Sequence, residues 1–375
     1  MIYKNMIYNQ IKNILRMFRF EGKYMDAEEI HSGNVNNTYH LWYRSVDGAE
    51  YEYVLQQINT YAFKHPEDVM DNIVRITDHL RKTLEAQGES TENRVLTCVP
   101  TQDGGYMHCD SQNRYWRAYY YIKNAVAYDR VEKPEHFYEA GRAFGEFQRI
   151  LQDFPVDQLH ETIPHFHDTR RRFYAFVAAV AEDKAGRVAD LEPEIDFFFD
   201  RRKMMTRIVR RIESGRIPLR VTHNDTKINN IMIDSKTGRA MCVIDLDTVM
   251  AGSALYDYGD AIRFGANAAA EDEPDTSRIS LDLNLFRQFT AGFLSEVGDM
   301  LTEEEIKCLP LGIQVMTCEL AMRFLTDYID GDLYFKVDSP EHNLVRAHAQ
   351  MKLLEDVESK IDQMQEIIEE VLNHK

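Results

Sequence analysis

The sequence predicts an α+β protein of two lobes, a small β-rich N-terminal lobe and a larger, mainly helical C-terminal lobe. Three observations carry this expectation. Residues 26–122 read as aromatic and β-branched runs interrupted by a single helical stretch. After Asn124 the apolar spacing changes to the three-and-four step of helices and keeps it almost to the C-terminus. A chain of 375 residues is also long for one compact domain and comfortable for two lobes around a cleft. The expected division is residues 1–122 and 123–375.

The N-terminal lobe begins with Ile2, Ile7, Ile11, Ile14, Leu15 and Phe18 at helical spacing, which predicts a helix packed on the body. Lys4, Lys12, Arg16 and Arg19 interrupt the apolar run that a signal peptide needs; a transit peptide is the alternative for so basic a segment. Residues 36–43 and 50–58 are strand-like, and Ser45-Val46-Asp47-Gly48 between them is a hairpin turn. Residues 66–87 form a helix through Val69, Ile73, Ile76 and Leu80. Residues 95–99 and 106–109 should make a second hairpin around Asp103-Gly104-Gly105, and residues 117–122 a further strand.

The C-terminal lobe opens with Pro134 in a first helical turn, followed by Phe137, Phe144, Phe147 and Leu151. Helical patterns return at 168–184, 193–214 and 282–298. Between them, residues 221–249 supply two short hydrophobic strands around polar loops, and residues 272–275 an exposed acidic loop. The last 35 residues read as one long helix, with Leu354, Val357, Ile361, Met364, Ile368 and Val371 along one stripe. Packing of that stripe on the protein's own lobe is expected; a homodimer through this helix is the alternative.

Lys and Arg number 44 against 62 Asp and Glu, a net charge of −18. Such a surface repels nucleic acid and anionic membrane. The five cysteines are odd in number, widely spaced and free of C-x-x-C pairs, which points to reduced thiols in a cytoplasmic protein. No apolar run approaches the roughly 20 residues of a membrane span.

The chemistry concentrates in Thr222-His223-Asn224-Asp225-Thr226-Lys227-Ile228-Asn229-Asn230 and, after a short hairpin, Ile244-Asp245-Leu246-Asp247. Phosphoryl transfer to a hydroxyl needs a carboxylate to orient the nucleophile and take its proton, and oxygen ligands to hold magnesium against the phosphates. Asp225 suits the first task, and Asn230 and Asp245 the second. Alone, each reads as a loop polar: a helix cap, a turn residue, a strand-end carboxylate. Their conjunction between hydrophobic strands is far rarer. Upstream, residues 32–39 (SGNVNNTY) stand where a phosphate-covering loop between strands belongs. There Gly33 and the side chains of Asn36, Asn37 and Thr38 offer hydrogen bonds to phosphate.

With H-x-D-x-x-x-x-N and I-D-x-D in place, the chain resembles the aminoglycoside phosphotransferase and choline kinase family, relatives of protein kinases. The resemblance implies a bilobal protein-kinase-like fold, ATP and Mg2+ as cofactors, Asp225 as catalytic base and Asn230 and Asp245 as metal ligands. It implies His223 as a loop scaffold and Asp257, in Asp257-Tyr258-Gly259-Asp260, as a brace of the loop. Asp247 either assists the metal or hydrogen-bonds the loop. Where this superfamily usually carries a phosphate-touching lysine, residues 54–59 (VLQQIN) offer Gln56, an uncharged donor. Blocks at 53–59, 165–169 (HFHDT), 218–234, 244–263 and 322–335 are similar to the N-acetylhexosamine 1-kinase group. That likeness implies a sugar acceptor touched by Asp225, Arg323 and Tyr334. Asn34 stands where a histidine is expected in that group. Read alone, Arg323 would be an ion-paired helix residue and Tyr334 a core aromatic.

Overall fold

The computed structural model describes residues 2–30 and 35–374. The chain divides into two compact units: residues 1–125, 157–164 and 241–249 form one, and residues 126–156, 165–240 and 250–375 the other.

In the first unit, alternating aromatic and aliphatic residues build an antiparallel sheet in the order β1-β2-β3-β5-β4. Its strands are β1 (Lys23–Ile30), β2 (Asn37–Arg44), β3 (Glu50–Ile58), β4 (His108–Cys109) and β5 (Tyr115–Tyr120). The β2–β3 turn closes through Gly48 N to Ser45 O, 3.1 Å, with Gly48 at φ +89°, a conformation glycine adopts without strain. One sheet face takes Leu41, Tyr43, Tyr53, Leu55, Trp116 and Ala118 into a core with Ile7, Ile11 and Ile14 of α1 (Ile2–Leu15). The N-terminal amphipathic stretch is thus spent on the body of its own unit. Helix α2 (Pro66–Ala86) starts on Pro66 and buries Val69, Ile73, Ile76 and Leu80.

The expected hairpin between residues 95–99 and 106–109 is a correction. The turn exists, closed by Thr101 N to Gly105 O at 2.7 Å, but its arms do not pair with one another. Both run along the same edge of β5: β4 takes Tyr115 and Trp116, while Val99 N reaches Ala118 O and Tyr120 N reaches Thr97 O. Two short segments share one strand edge, so neither becomes a full strand.

The second unit follows the two-residue β6 (Ala125–Val126). Helices α3 (Pro134–Ile150), α4 (Thr169–Glu182), α5 (Glu192–Met205) and α6 (Arg207–Glu213) precede β7 (Arg220–Thr222) and β8 (Ile231–Asp234). Strand β9 (Ala240–Val243) leads into the 241–249 segment of the first unit, and β10 (Met250–Gly252) and α7 (Ala254–Gly265) resume the second. Helices α8 (Leu283–Val297), α9 (Glu303–Lys307), α10 (Leu309–Asp330), α11 (His342–Ser359) and α12 (Ile361–Asn373) complete the chain.

Glycines set two close helix contacts here. A Cβ at Gly259 of α7 would lie 2.4 Å from Gly312 O of α10, and one at Gly312 would lie 2.4 Å from Leu255 O. Helix α10, almost wholly buried, is the unit's axis, and this approach fixes α7 against it. The C-terminal segment is two helices, not one, broken at Lys360. Each half follows a different neighbour, α11 along α10 and α12 along α8, so a straight helix cannot satisfy both. Leu354, Val357, Met364 and Ile368 are buried within the unit. No helix among the described residues is long and apolar enough to cross a membrane, and all five cysteines are unpaired.

Candidate active site

The loop after β7 is built from the backbone outward. Strand β7 pairs with β10 through Thr222↔Met250, and Gly252 makes room for the Thr222 side chain, whose Oγ1 would lie 2.3 Å from any Cβ there. His223 is fully buried, edge-on to Phe144 and Phe147. Asn224 takes a left-handed conformation (φ 62°), which asparagine tolerates. Asp257 explains why the chain accepts it. From the first turn of α7, its carboxylate receives His223 N at 3.0 Å, Asn224 N at 2.7 Å and Gln148 Nε2 at 2.7 Å. Its backbone oxygen takes Thr226 Oγ1 at 2.5 Å. Burial pushes the Asp257 carboxyl up, against His223 and the loop amides that favour its charge.

Asp225 stands at the tip of this loop with its side chain 30% exposed. Lys227 Nζ lies 3.1 Å from Oδ1, and Asn230 Nδ2 reaches Oδ2 at 3.1 Å and the Asp225 carbonyl at 2.8 Å. Burial opposes the charge, but Lys227, His223 and the Asn230 amide outweigh it and hold the carboxyl below its ordinary value. Lys227 is raised in turn, chiefly by Asp225, with Glu271 and Asp260 adding. The result is a partly accessible, ionised carboxylate beside a fixed ammonium. Because the Asn230 nitrogen is committed to Asp225, its oxygen is the end left to accept.

The second carboxylate segment belongs to the first unit. Asp245 has a left-handed backbone (φ 58°) that opens a 3-10 turn at Leu246–Thr248. Asp247 is buried and ion-paired with Arg117 of β5, which is itself buried. Asn36 Nδ2 donates to Asp247 Oδ2 at 2.8 Å, Thr162 Oγ1 to its carbonyl at 3.0 Å, and Asn72 Nδ2 to Val249 O at 2.9 Å. Arg117 sits opposite Gln56 in register and donates Nε to Gln56 Oε1 at 3.0 Å, while Gln56 Nε2 reaches Thr38 Oγ1 at 3.2 Å. Burial works against the Arg117 charge, but Asp247 first and Asp245 also favour it, and its pKa is raised. A cation therefore does occupy the neighbourhood of Gln56, on the adjacent strand.

Arg323 and Tyr334 meet in the second unit. With Arg172, Met322, Thr326, Asp327, Asp330 and Phe335 they line a small cavity of ≈160 Å³. The Arg323 guanidinium lies 5.4–5.6 Å from the rings of Phe166, Tyr334 and Phe335. Tyr334 is 51% exposed, so it is no core aromatic. Beneath, Glu319 is buried beside His167 Nδ1 (3.1 Å) and Arg172 Nε (3.8 Å). Burial raises its carboxyl, but His167, Arg323 and Arg172 outweigh that and bring it below the ordinary range. Arg172 is pulled down by burial and then by Arg323.

The residues singled out by sequence fall into three groups. Asp225, Asn230, His223 and Asp257 share the loop; Asn36, Thr38, Gln56 and Asp247 share the Arg117 network, with Asp245 two positions before Asp247; Arg323 and Tyr334 share the cavity. Asn37 is apart, its side chain exposed and 3.4 Å from Gln57. Gly33 and Asn34 lie outside the described residues. Sequence reasoning passed over Lys227, Arg117, Arg172 and Glu319. Lys227 was within reach, two residues after Asp225; Arg117 was not, because only the strand register puts it opposite Gln56.

A family model described as APH, the phosphotransferase enzyme family, matches residues 26–286. The structure is similar to the microcompartment-associated aminopropanol kinase, with a TM-score of 0.58 at 15% identity over 95% of this chain and 98% of that one. It is also similar to choline kinase from Cryptosporidium parvum Iowa II (TM-score 0.57, 13% identity, 92% of each chain). Amicoumacin kinase in complex with AMP-PNP, Ca2+ and Ami gives the same score, identity and coverage. At such identities the likeness is one of fold.

Proposed function

The chain belongs to the APH phosphotransferase enzyme family, and from that premise we propose that it is an ATP- and Mg2+-dependent kinase of the anomeric hydroxyl of N-acetylhexosamines. The observation that carries the catalytic part is the Asp225 carboxylate, kept charged by Lys227 and Asn230 and partly open to solvent. In this reading Asp225 accepts a hydrogen bond from the acceptor hydroxyl, orients its lone pair and takes the proton as the new oxygen–phosphorus bond forms and the bond from the γ-phosphorus to the β–γ bridging oxygen breaks, ADP leaving with that oxygen. Lys227 supplies positive charge where the transferring phosphoryl group gathers negative charge.

The resemblance makes Asn230 and Asp245 the metal ligands. Magnesium takes one or two protein carboxylates and completes its shell with phosphates and water, so this short set of ligands suits it. Bound there, it neutralises charge on the nucleotide phosphates. Asp247 is then a structural residue, its carboxylate committed to Arg117 and Asn36.

The acceptor reading rests on the resemblance and on the polar and aromatic lining of the Arg323 cavity. Its lining sets the guanidinium groups of Arg172 and Arg323 against the carboxylates of Asp327 and Asp330, with Glu319 buried beside Arg172, and Asp327 accepts from the amides of Leu333, Tyr334 and Phe335. Such a wall of mixed donors and acceptors beside the Tyr334 and Phe335 rings suits a neutral sugar with hydroxyl and amide oxygens. An ADP-release assay with magnesium over GlcNAc, GalNAc, choline, 1-amino-2-propanol and kanamycin tests this. Turnover confined to the two sugars is expected, and turnover confined to the cationic acceptors would overturn the acceptor while leaving the phosphotransfer in place.

A further inference from the structure

A second cleft in the helical unit has the opposite character to the rest of the surface. It lies among α4, the end of α5 and α6, has a volume of ≈780 Å³, and is lined by Arg170, Tyr174, Arg202, Lys203, Arg207 and Arg210. Arg170 is neutralised by Glu213 at 2.6 Å and, more loosely, by Asp168 at 3.7 Å. The other four cations enter no ion pair among the described residues; Arg210 acts on Glu213 only through space. This is a chain with 62 acidic residues and a net charge of −18, so carboxylates to pair them are plentiful. Like charges held together without partners cost free energy, and they create a local positive potential. Tyr174 stands in the same cleft with its ring 65% exposed, and the apolar surfaces of Phe173 and Met204 lie beside it.

We propose that this cleft is a binding site for a phosphorylated small molecule carrying a planar ring, of the nucleotide class. Guanidinium groups match phosphate oxygens two at a time, which suits Arg202, Arg207 and Arg210 to a di- or polyphosphate. The exposed Tyr174 ring offers a face on which a base stacks. The volume falls in the range of small-molecule pockets, roughly 300–1,000 Å³, which favours a metabolite over a segment of another protein. None of these residues belongs to the Asp225 loop or to the Arg323 cavity, so the site does not depend on the acceptor assignment.

The test places a reporter in the cleft. Tyr174→Trp keeps an aromatic platform, and its fluorescence is read by difference from the parent chain, whose two tryptophans are elsewhere. The full-length protein is titrated at low ionic strength, without metal, with ADP, inorganic pyrophosphate and poly-glutamate. A saturable change with ADP is expected, weaker binding of pyrophosphate, and a loss of about tenfold or more in ADP affinity in an added R207Q/R210Q background. Both arginines are exposed, so the fold does not need them. An added Asp225→Asn should leave the titration unmoved. No saturable change with ADP or pyrophosphate, or one indifferent to R207Q/R210Q, overturns the site. Equal affinity for ADP and pyrophosphate overturns the ring contact, and a response to poly-glutamate alone makes an acidic protein segment the occupant.

Discussion

Asp225 stays ionised because Lys227, His223 and the Asn230 amide outweigh its burial. Asp225→Asn removes the proposed proton acceptor and keeps the shape, so turnover should fall by about 10²–10⁴ while fluorescent-nucleotide binding persists. The same environment fixes a sign in pH. A carboxyl held below its ordinary value keeps its base form until pH falls through that lowered value. An acid limb set by Asp225 in the kcat/KM profile therefore lies below the ordinary aspartate range; a limb above that range that vanishes in Asp225→Asn would contradict the arrangement. Arg117 makes a different kind of contribution. With Asp247 it forms a buried ion pair, and breaking such a pair from one side costs about 3–5 kcal/mol because the other charge is stranded. Arg117→Met should lower denaturant stability by that order, and adding Asp247→Leu should recover a substantial part; no recovery would mean the pair is not the cause. The Asp225–Asn230 and Asp245–Asp247 segments stand out in the sequence because their spacing is local. Arg117 does not, since its relation to Gln56 exists only across the β3–β5 ladder.

Helix α7 carries Asp257 to the loop, and its seat on α10 depends on two glycines facing each other. Gly312→Ala puts a methyl against the Leu255 carbonyl, an overpacking cost of about 1–3 kcal/mol. It should lower Tm by several degrees and reduce turnover through Asp257, whereas Gly88→Ala, facing open space at φ +75°, should affect stability alone. An unchanged Tm for Gly312→Ala would contradict the close approach. Elements with strong local punctuation were readable: Pro66 and Pro134 each open a helix, and Gly48 closes the β2–β3 turn. What sequence misplaced was set by partners far along the chain. Residues 95–99 spend their hydrogen bonds on β5 and not on residues 106–109, and the C-terminal helix breaks at Lys360 because α10 and α8 pull its halves apart.

At the scale of the whole chain, family and fold agree with the two-lobe expectation from composition, and the net charge of −18 left the acceptor open. The groups that bear on the acceptor are local, Arg172 and Arg323 set against Asp327 and Asp330 with Glu319 beside Arg172, and neither Arg172 nor Glu319 stood out from the sequence. The most direct measurement is phosphorus NMR of the product formed from GlcNAc and ATP with magnesium, in parallel with Asp225→Asn. A phosphate resonance coupled to the anomeric proton, absent with the variant, is the expected result. A phosphate on any other hydroxyl, or the same product from Asp225→Asn at undiminished rate, would contradict it.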